Sequence, residues 1–324
     1  EPGARISFGP NSSLSIASAG RLSAIGTPDN PVTFTSLDPA GLWRGIRFDG
    51  SASADNRLES VVLENGGSDG WSGATSSTSA LYLVGNTRVD VVASEISGSG
   101  GTGITVQQDV VLSFATNSVA DNAIAAWVHP NAVRSIAADN VFDGNDDNVV
   151  RVAFGNNDGV RVAQTWVPAG VPYEVQTRMF VDEPLTLDPG VELTFKADVS
   201  MIVRNGGSLR AEGTVDAPIL FSGTEDLPGF WKGLQITTVS TDNVFDRVVF
   251  ENGGSEEWTG GGESRAMVYL TSNSKAVFTN STFRGSGYYA LWVPAGGDIA
   301  GFSGNVFDDN ARTIIVHPNR AGAI

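Results

Sequence analysis

Short runs of alternating apolar and polar residues recur along the whole chain. Leu81 and Leu83, Ile104 and Val106, and Val150 and Val152 are each separated by a single residue. That spacing points alternate side chains of a strand into one core. No segment carries a convincing 3.6-residue apolar period, so the pattern predicts strands throughout. Clusters of Gly, Asn and Asp separate the runs and predict turns. SEISGSGGTGITV, NSVADNAIAAWV and NVFDGNDDNVVRV begin at Ser94, Asn117 and Asn140, at equal steps along the chain. Each has a polar residue, a short strand, a turn and a second strand. NSTFRGSGYYALWV from Asn280 and NVFDDNARTIIV from Asn305 repeat the arrangement.

A longer period encloses the short one. PGARISF (from Pro2) matches PGVELTF (from Pro189), LWRGIRF (from Leu42) matches FWKGLQI (from Phe230), and VVLENGGSDGWSG (from Val61) matches VVFENGGSEEWTG (from Val248). Nearly all such pairs share one offset, the step from Pro2 to Pro189. The chain is a tandem duplication. DNVFDGN (from Asp139) matches GNVFDDN (from Gly304) at a shorter offset, and the shortfall equals one short period, so unit one has one period more. Whole-period insertion is expected where each period is a stacking module.

Coils of 22–24 residues with three short strands each predict an all-β, right-handed parallel β-helix. Stacking at ~4.8 Å per coil gives roughly a dozen coils and a rod of about 60 Å. The expected organisation is unit one over 1–155, connecting coils over 156–186 and unit two over 187–324, as one continuous rod. The Asn before each VF or TF suits an internal ladder of stacked amides.

Composition narrows the function classes. Gly makes up 39 of 324 residues and charged residues only 17%, against a usual ~7% and ~25%, which fits many turns. Net charge is −16. That argues against nucleic acid, whose binding needs Lys and Arg, and against an anionic membrane surface. There are no cysteines, so disulfides and thiolate metal sites are excluded, and no apolar run approaches the ~18 residues of a membrane helix. EPGARISF at the start already reads as strand. Bare β-helix ends invite edge pairing, so flanking domains of a longer precursor, a removed prosegment or end-to-end packing are expected to cover them.

The two histidines both occur in VHPN, at His129 and His317. The matching positions after Trp166-Val167 and Trp292-Val293 carry Pro168 and Pro294. Proline ends ladder pairing, so VHPN reads as a strand-ending turn. By coil count the histidines lie nearly 40 Å apart, roughly eight coils at ~4.8 Å each, beyond the reach a catalytic pair needs.

PGVELTF, GGSLRAEGT, APILFSG and WKGLQI, all in unit two, resemble bacterial secreted and cell-surface proteins with right-handed parallel β-helix repeats, the broad pectin-lyase-like group. The resemblance covers nearly the whole chain. It implies the fold, and an extracellular or cell-surface location in a bacterium. It implies no single activity, since the fold hosts lyases, hydrolases, adhesins and passive stalks. The chain lacks the GHG and RIK motifs of the polygalacturonase-like hydrolases. A lyase would need an acidic calcium cluster beside an Arg or Lys base, and the lysines are only Lys196, Lys232 and Lys275.

The candidate site lies in the repeated GG-x-x-x-W loops. Unit one offers Glu64, Asp69 and Trp71, followed by a Ser/Thr-rich stretch; unit two offers Glu251, Glu256, Glu257 and Trp258, followed by a Gly-rich stretch. The step from Leu63 to Ile96 is well over the step from Ser94 to Asn117 that makes one coil, which predicts a projecting loop. Trp with carboxylates and Asn is sugar-binding chemistry: ring stacking plus hydrogen bonds to hydroxyls. The alternative is that Trp71 and Trp258 fold back as lids. Two copies on one side of a rod, roughly 35 Å apart by coil count, would raise avidity for a repeating polymer. Trp43-Arg44 and Trp231-Lys232 form a second pair, read as rings sealing a corner of the coil. Residues 143–148 (DGNDDN) and 155–159 (GNNDG) have the composition of calcium loops but not the ligand spacing, and read as turns; no cofactor is expected, calcium being the one these loops would allow. The expected function is a non-enzymatic, carbohydrate-binding or adhesive module whose partner is a polysaccharide or cell-surface glycan. A polysaccharide lyase or hydrolase and a passive stalk are the alternatives.

Overall fold

The computed structural model describes residues 1–72, 77–153, 155–260 and 264–317. Among them no helix is long and apolar enough to cross a membrane. The chain divides into two compact units, Glu1–Arg151 with Ala169–Val171, and Val152–Pro168 with Pro172–Ile324. Each is a parallel β-helix, as the alternation predicts.

In unit one, a coil runs through Val61–Glu64, Ser79–Val84 and Arg88–Val92, and the next through Glu95–Ser97, Thr102–Val106 and Val111–Ala115. Corresponding strands pair in parallel across coils, so Leu63, Ile96, Val119 and Phe142 form one inward column and Leu81, Ile104 and Ala126 another. The third strand is replaced once. After Ile124–Val128 the chain forms a 3-10 helix, Pro130–Ser135, and Ile136 resumes the sheet by bridging Phe114. This is the first VHPN. It ends a strand as expected, and the buried His129 caps the helix by accepting from Asn131 N at its Nδ1 (3.2 Å). His317 follows the strand Arg312–Val316; Pro318 and Asn319 lie outside the described residues.

In unit two, the three faces run from Gly159–Val160 to Arg312–Val316, from Gln164–Trp166 to Asp298–Ser303, and from Tyr173–Val175 to Val306–Asp308. The recurring VF and TF pairs have a packing cause. Phe250, Phe283 and Phe307 share a register column and stack at 5.1 and 4.8 Å between centroids. Phe245 stacks on Phe278 at 4.9 Å in the facing column. Aromatic pairs at such separations contribute about 0.5–1.5 kcal/mol beyond area burial.

Corners in left-handed backbone recur beside the short strands Val61–Glu64, Glu95–Ser97, Ser118–Ala120 and Val141–Asp143 in unit one and Val248–Glu251, Thr282–Arg284 and Val306–Asp308 in unit two. One set is occupied by Ser60, Ala93 and Thr116 in unit one and by Arg247, Asn280 and Gly304 in unit two; the other by Asn65, Gly98, Asp121 and Gly144, and by Asn252, Gly285 and Asp309. Just after these corners lie the amide ladders. Asn117 Oδ1 accepts from Ser94 N (3.0 Å) and Asn140 Oδ1 accepts from Asn117 N (3.0 Å); Asn122 and Asn145 repeat the scheme below Ser99. In unit two Asn305 and Asn310 accept from Ser281 N and Ser286 N. The predicted ladder therefore exists, with one correction. Asn280 is the exposed corner residue, and Ser281 takes the ladder position. A serine hydroxyl there still accepts a bond from the preceding coil, as Ser281 Oγ does from Val248 N (3.1 Å).

Candidate functional site

The GG-x-x-x-W loops fold back on their own coils. The paired glycines are required by packing: a Cβ on Gly66 would lie 2.6 Å from Ala80 Cβ, and one on Gly253 2.5 Å from Met267 Cγ. This close approach turns the chain so that each Trp lies over the following strand. Trp71 is buried at 9% exposure, donates from Nε1 to Ser79 O (3.0 Å) and stacks on Tyr82 at 6.1 Å. Trp258 is half-buried, donates to Ala266 O (2.8 Å) and stacks on Tyr269 at 6.0 Å. Of the two expected arrangements, projecting or folded back, Trp71 takes the folded-back one, because Tyr82 offers a ring to cover and Ser79 an acceptor. Residues 73–76 and 261–263, within the Ser/Thr-rich and Gly-rich stretches, lie outside the described residues.

The seven predicted residues separate into distinct groups. Asp69 pairs with Arg44, whose guanidinium lies 5.7 Å from the Trp71 ring. The Gly70 backbone N–H, helped by Arg44, holds the Asp69 carboxyl below the usual range. Glu256 pairs with Lys232 at 3.3 Å, and the Lys232 ammonium lies 5.3 Å from the Trp258 ring. Glu257 is exposed, and its backbone forms an isolated bridge to Arg265. Glu64 and Glu251 lie at strand ends and pair with Arg5 and Arg284. Trp43 and Trp231 are fully buried, stack on Phe8 and Phe195 at 4.1 and 4.2 Å, and seal the coil as expected.

A strip of rings in unit two was not predicted. Gln235, Tyr269, Trp292 and Ile315 form one column across four coils, outward because their neighbours Ile236, Leu270 and Val293 are buried. Trp258 contacts Tyr269 at 6.0 Å, Tyr269 contacts Trp292 at 6.0 Å, Trp292 contacts Tyr289 at 5.6 Å, and Tyr289 contacts Tyr288 at 4.9 Å. Trp258, Trp292, Tyr288 and Tyr289 are half-exposed, while Tyr269 is buried, and burial pushes the Tyr269 hydroxyl up. Unit one has no such continuity among its described residues. Its column is Arg47, Tyr82, Thr105 and Trp127, so Thr105 interrupts the rings.

A second feature of unit two is a groove of about 790 Å³ lined by Asp226, Glu251, Asn252, Arg284, Asp308 and Asp309 among others. Glu251, Arg284 and Asp308 share a register column, which stacks acid, base and acid on successive coils. Asn252 donates to Asp226 Oδ1 (3.0 Å) and ties the loop wall to the corner. Among the described residues no group of three or more His, Asp or Glu is arranged to hold a metal. The side chains of 143–148 have structural duties: Asn145 serves the ladder and donates to Asn148, and Asp147 pairs with Arg151.

No protein-family model, curated protein or solved structure matches this chain.

The site residues that sequence reasoning missed had a signal in the repeat. Aligning coils places Tyr269 over Trp292, and Glu251 over Arg284 and Asp308. Alternation alone marks those positions as outward, without showing that outward neighbours touch.

Proposed function

We propose that the chain is a non-enzymatic, carbohydrate-binding module of a bacterial secreted or cell-surface protein of the pectin-lyase-like group, and that its glycan lies along the ring strip of unit two. The strip carries the reading. Partly exposed rings in mutual contact on several coils leave an apolar face open to solvent on either side of the buried Tyr269, and such a face suits the C–H faces of sugars. Rings held by packing on strands lose little entropy when a ligand arrives. The Trp258 loop remains part of the site as its first ring, with Glu256 and Glu257 at its edge to accept from hydroxyls. In this reading Trp71 of unit one, buried against Tyr82, serves as a lid.

The test is retention on immobilised polysaccharides, with Trp292→Ala and Trp71→Ala compared. Retention should fall at least tenfold in Trp292→Ala and stay within twofold in Trp71→Ala. Equal retention of Trp292→Ala and the parent protein would sink the assignment.

A polysaccharide lyase or hydrolase is the second reading, favoured by the acidic groove. Two carboxylates flanking a glycosidic bond can act as acid and base, and Glu251 and Asp308 both line the groove, one coil to either side of Arg284. Incubation with the retained polymer should then release new chain ends, and Glu251→Gln should abolish the release. Retention without new ends leaves the binding module.

A further inference from the structure

The strip ends in a cluster of different chemistry. Ala266, Tyr289 and Arg312 occupy one register column on three successive coils, which sets Arg265, Tyr288 and Arg312 close together. The Arg312 guanidinium lies 4.2 Å from the Tyr288 ring centroid and 5.2 Å from that of Tyr289, and Arg265 lies 5.5 Å from Tyr288. Arg312 donates from Nη1 to the Tyr289 hydroxyl (2.9 Å), and Arg265 from Nη2 to Gly254 O (3.3 Å). Two planar cations are therefore held against one half-exposed ring.

We propose that this cluster recognises an anionic substituent, a carboxylate or a sulfate half-ester, on a saccharide whose rings stack along Trp292 and Tyr289. The inference rests on the strip as the binding surface. Three observations carry it. First, a guanidinium presents donors in a planar fork that matches carboxylate and sulfate oxygens two at a time. Second, stacking on Tyr288 pre-orients that fork, so less entropy is lost on binding. Third, the location matters. On a chain of net charge −16, which repels anions at a distance, two arginines gathered around one ring form a local positive site, so an anionic group is favoured there by contact and not elsewhere on the surface. The strip and the cluster are also continuous, since Tyr289 touches Trp292 on one side and Tyr288 on the other. A saccharide stacked on the rings would bring its substituent to the guanidinium pair.

The experiment uses one polymer backbone in three forms: dextran, carboxymethyl dextran and dextran sulfate. Binding is measured by affinity electrophoresis for the parent chain, Trp292→Ala and the double variant Arg265→Gln/Arg312→Gln, with circular dichroism to confirm that each is folded. At least one charged form should bind ten times more tightly than dextran. The double variant should remove that preference, and the form preferred identifies carboxylate or sulfate as the group read. Equal binding of all three polymers, no binding of either charged form, or a preference that survives in the double variant would each overturn the inference. Loss of binding in Trp292→Ala alone, with the double variant unchanged, would keep the strip and discard the anion. A charge preference lost in the double variant but indifferent to Trp292→Ala would discard the strip, and with it the inference as stated.

Discussion

Replacing Asn122 by alanine tests the ladder most directly. Asn122 is 1% exposed. Its Oδ1 accepts from Ser99 N (2.9 Å), and its Nδ2 donates to Ile96 O (3.1 Å), Ala120 O (2.9 Å) and Asn145 Oδ1 (2.9 Å). Alanine removes all four bonds at a site water cannot easily enter. The Ser99 N–H loses its acceptor, which costs about 1–3 kcal/mol for a buried group. The two carbonyls lose one partner each, at roughly 0.5–1.5 kcal/mol per bond. Asn145 Oδ1 keeps the Asn122 backbone N–H (3.0 Å) and adds little. The loss should be about 3–4 kcal/mol, read as a lower urea midpoint by far-UV circular dichroism at an unchanged slope. Two comparisons guard the result. Asn86→Ala, at an exposed turn, should change stability by less than ~0.5 kcal/mol. Asn122→Ser should recover part of the loss, because Ser94 and Ser99 already serve in the ladders. An Asn122→Ala protein as stable as Asn86→Ala would refute the claim that the amide column is a main support of unit one.

Other substitutions probe separate supports. Trp231→Ala removes a fully buried ring stacked on Phe195 and the bond from its Nε1 to Glu251 O (2.8 Å); a loss of about 3–5 kcal/mol is expected in urea unfolding. Gly233→Ala forces a Cβ to 2.3 Å from Met267 O at φ +128° and should cost roughly 2 kcal/mol or more, whereas Gly260→Ala, with nothing within 4 Å, should be near neutral; thermal melts separate the two. Burial pushes the Asp246 carboxyl up, but hydrogen bonds from Thr279 Oγ1 and Asn280 Nδ2 together with Arg247 outweigh it and hold it below the usual range. Its stabilising effect is therefore present above the unfolded value of about 3.9 and is lost as pH falls through the lower folded value; the urea midpoint of Asp246→Asn should depend less on pH below about 4 than that of the parent.

The fold was legible because its causes are local and repeated. Two-residue alternation gives strands, and the even recurrence from Ser94 to Asn117 to Asn140 gives coils. Even the ladder showed itself, apart from the exchange of roles between Asn280 and Ser281. That choice depends on which residue adopts the left-handed corner, and both types tolerate either place. The site was less legible. Whether Trp71 projects or lies flat is decided by Tyr82 and the Ser79 carbonyl, which alternation does not place beneath it. The ring strip depends on Tyr269 and Trp292 sharing a column although they stand a full coil apart in the chain, and Thr105 at the corresponding place in unit one shows how one residue breaks it. Asp308 and Asp309 are adjacent in the chain, but adjacency does not show that the column Glu251, Arg284 and Asp308 makes them part of a groove.

The pairing scheme also bears on how each unit acquires its structure. Leu81 pairs with Ile104, and Ile104 with Ala126, so a strand's partners are the coil just made and the coil to come. Among the described residues, no pairing within a unit's sheets has to wait for a distant stretch of chain. Once two adjacent coils have met, each further coil adds onto an existing edge, and the loop to be closed is only about one coil long, whose entropy cost rises slowly with length. Order can then advance as a front from any pair of neighbouring coils. A chain emerging end-first from a ribosome or a translocation pore could wind itself up as it appears, with unpaired edges only at the first coil and the newest one.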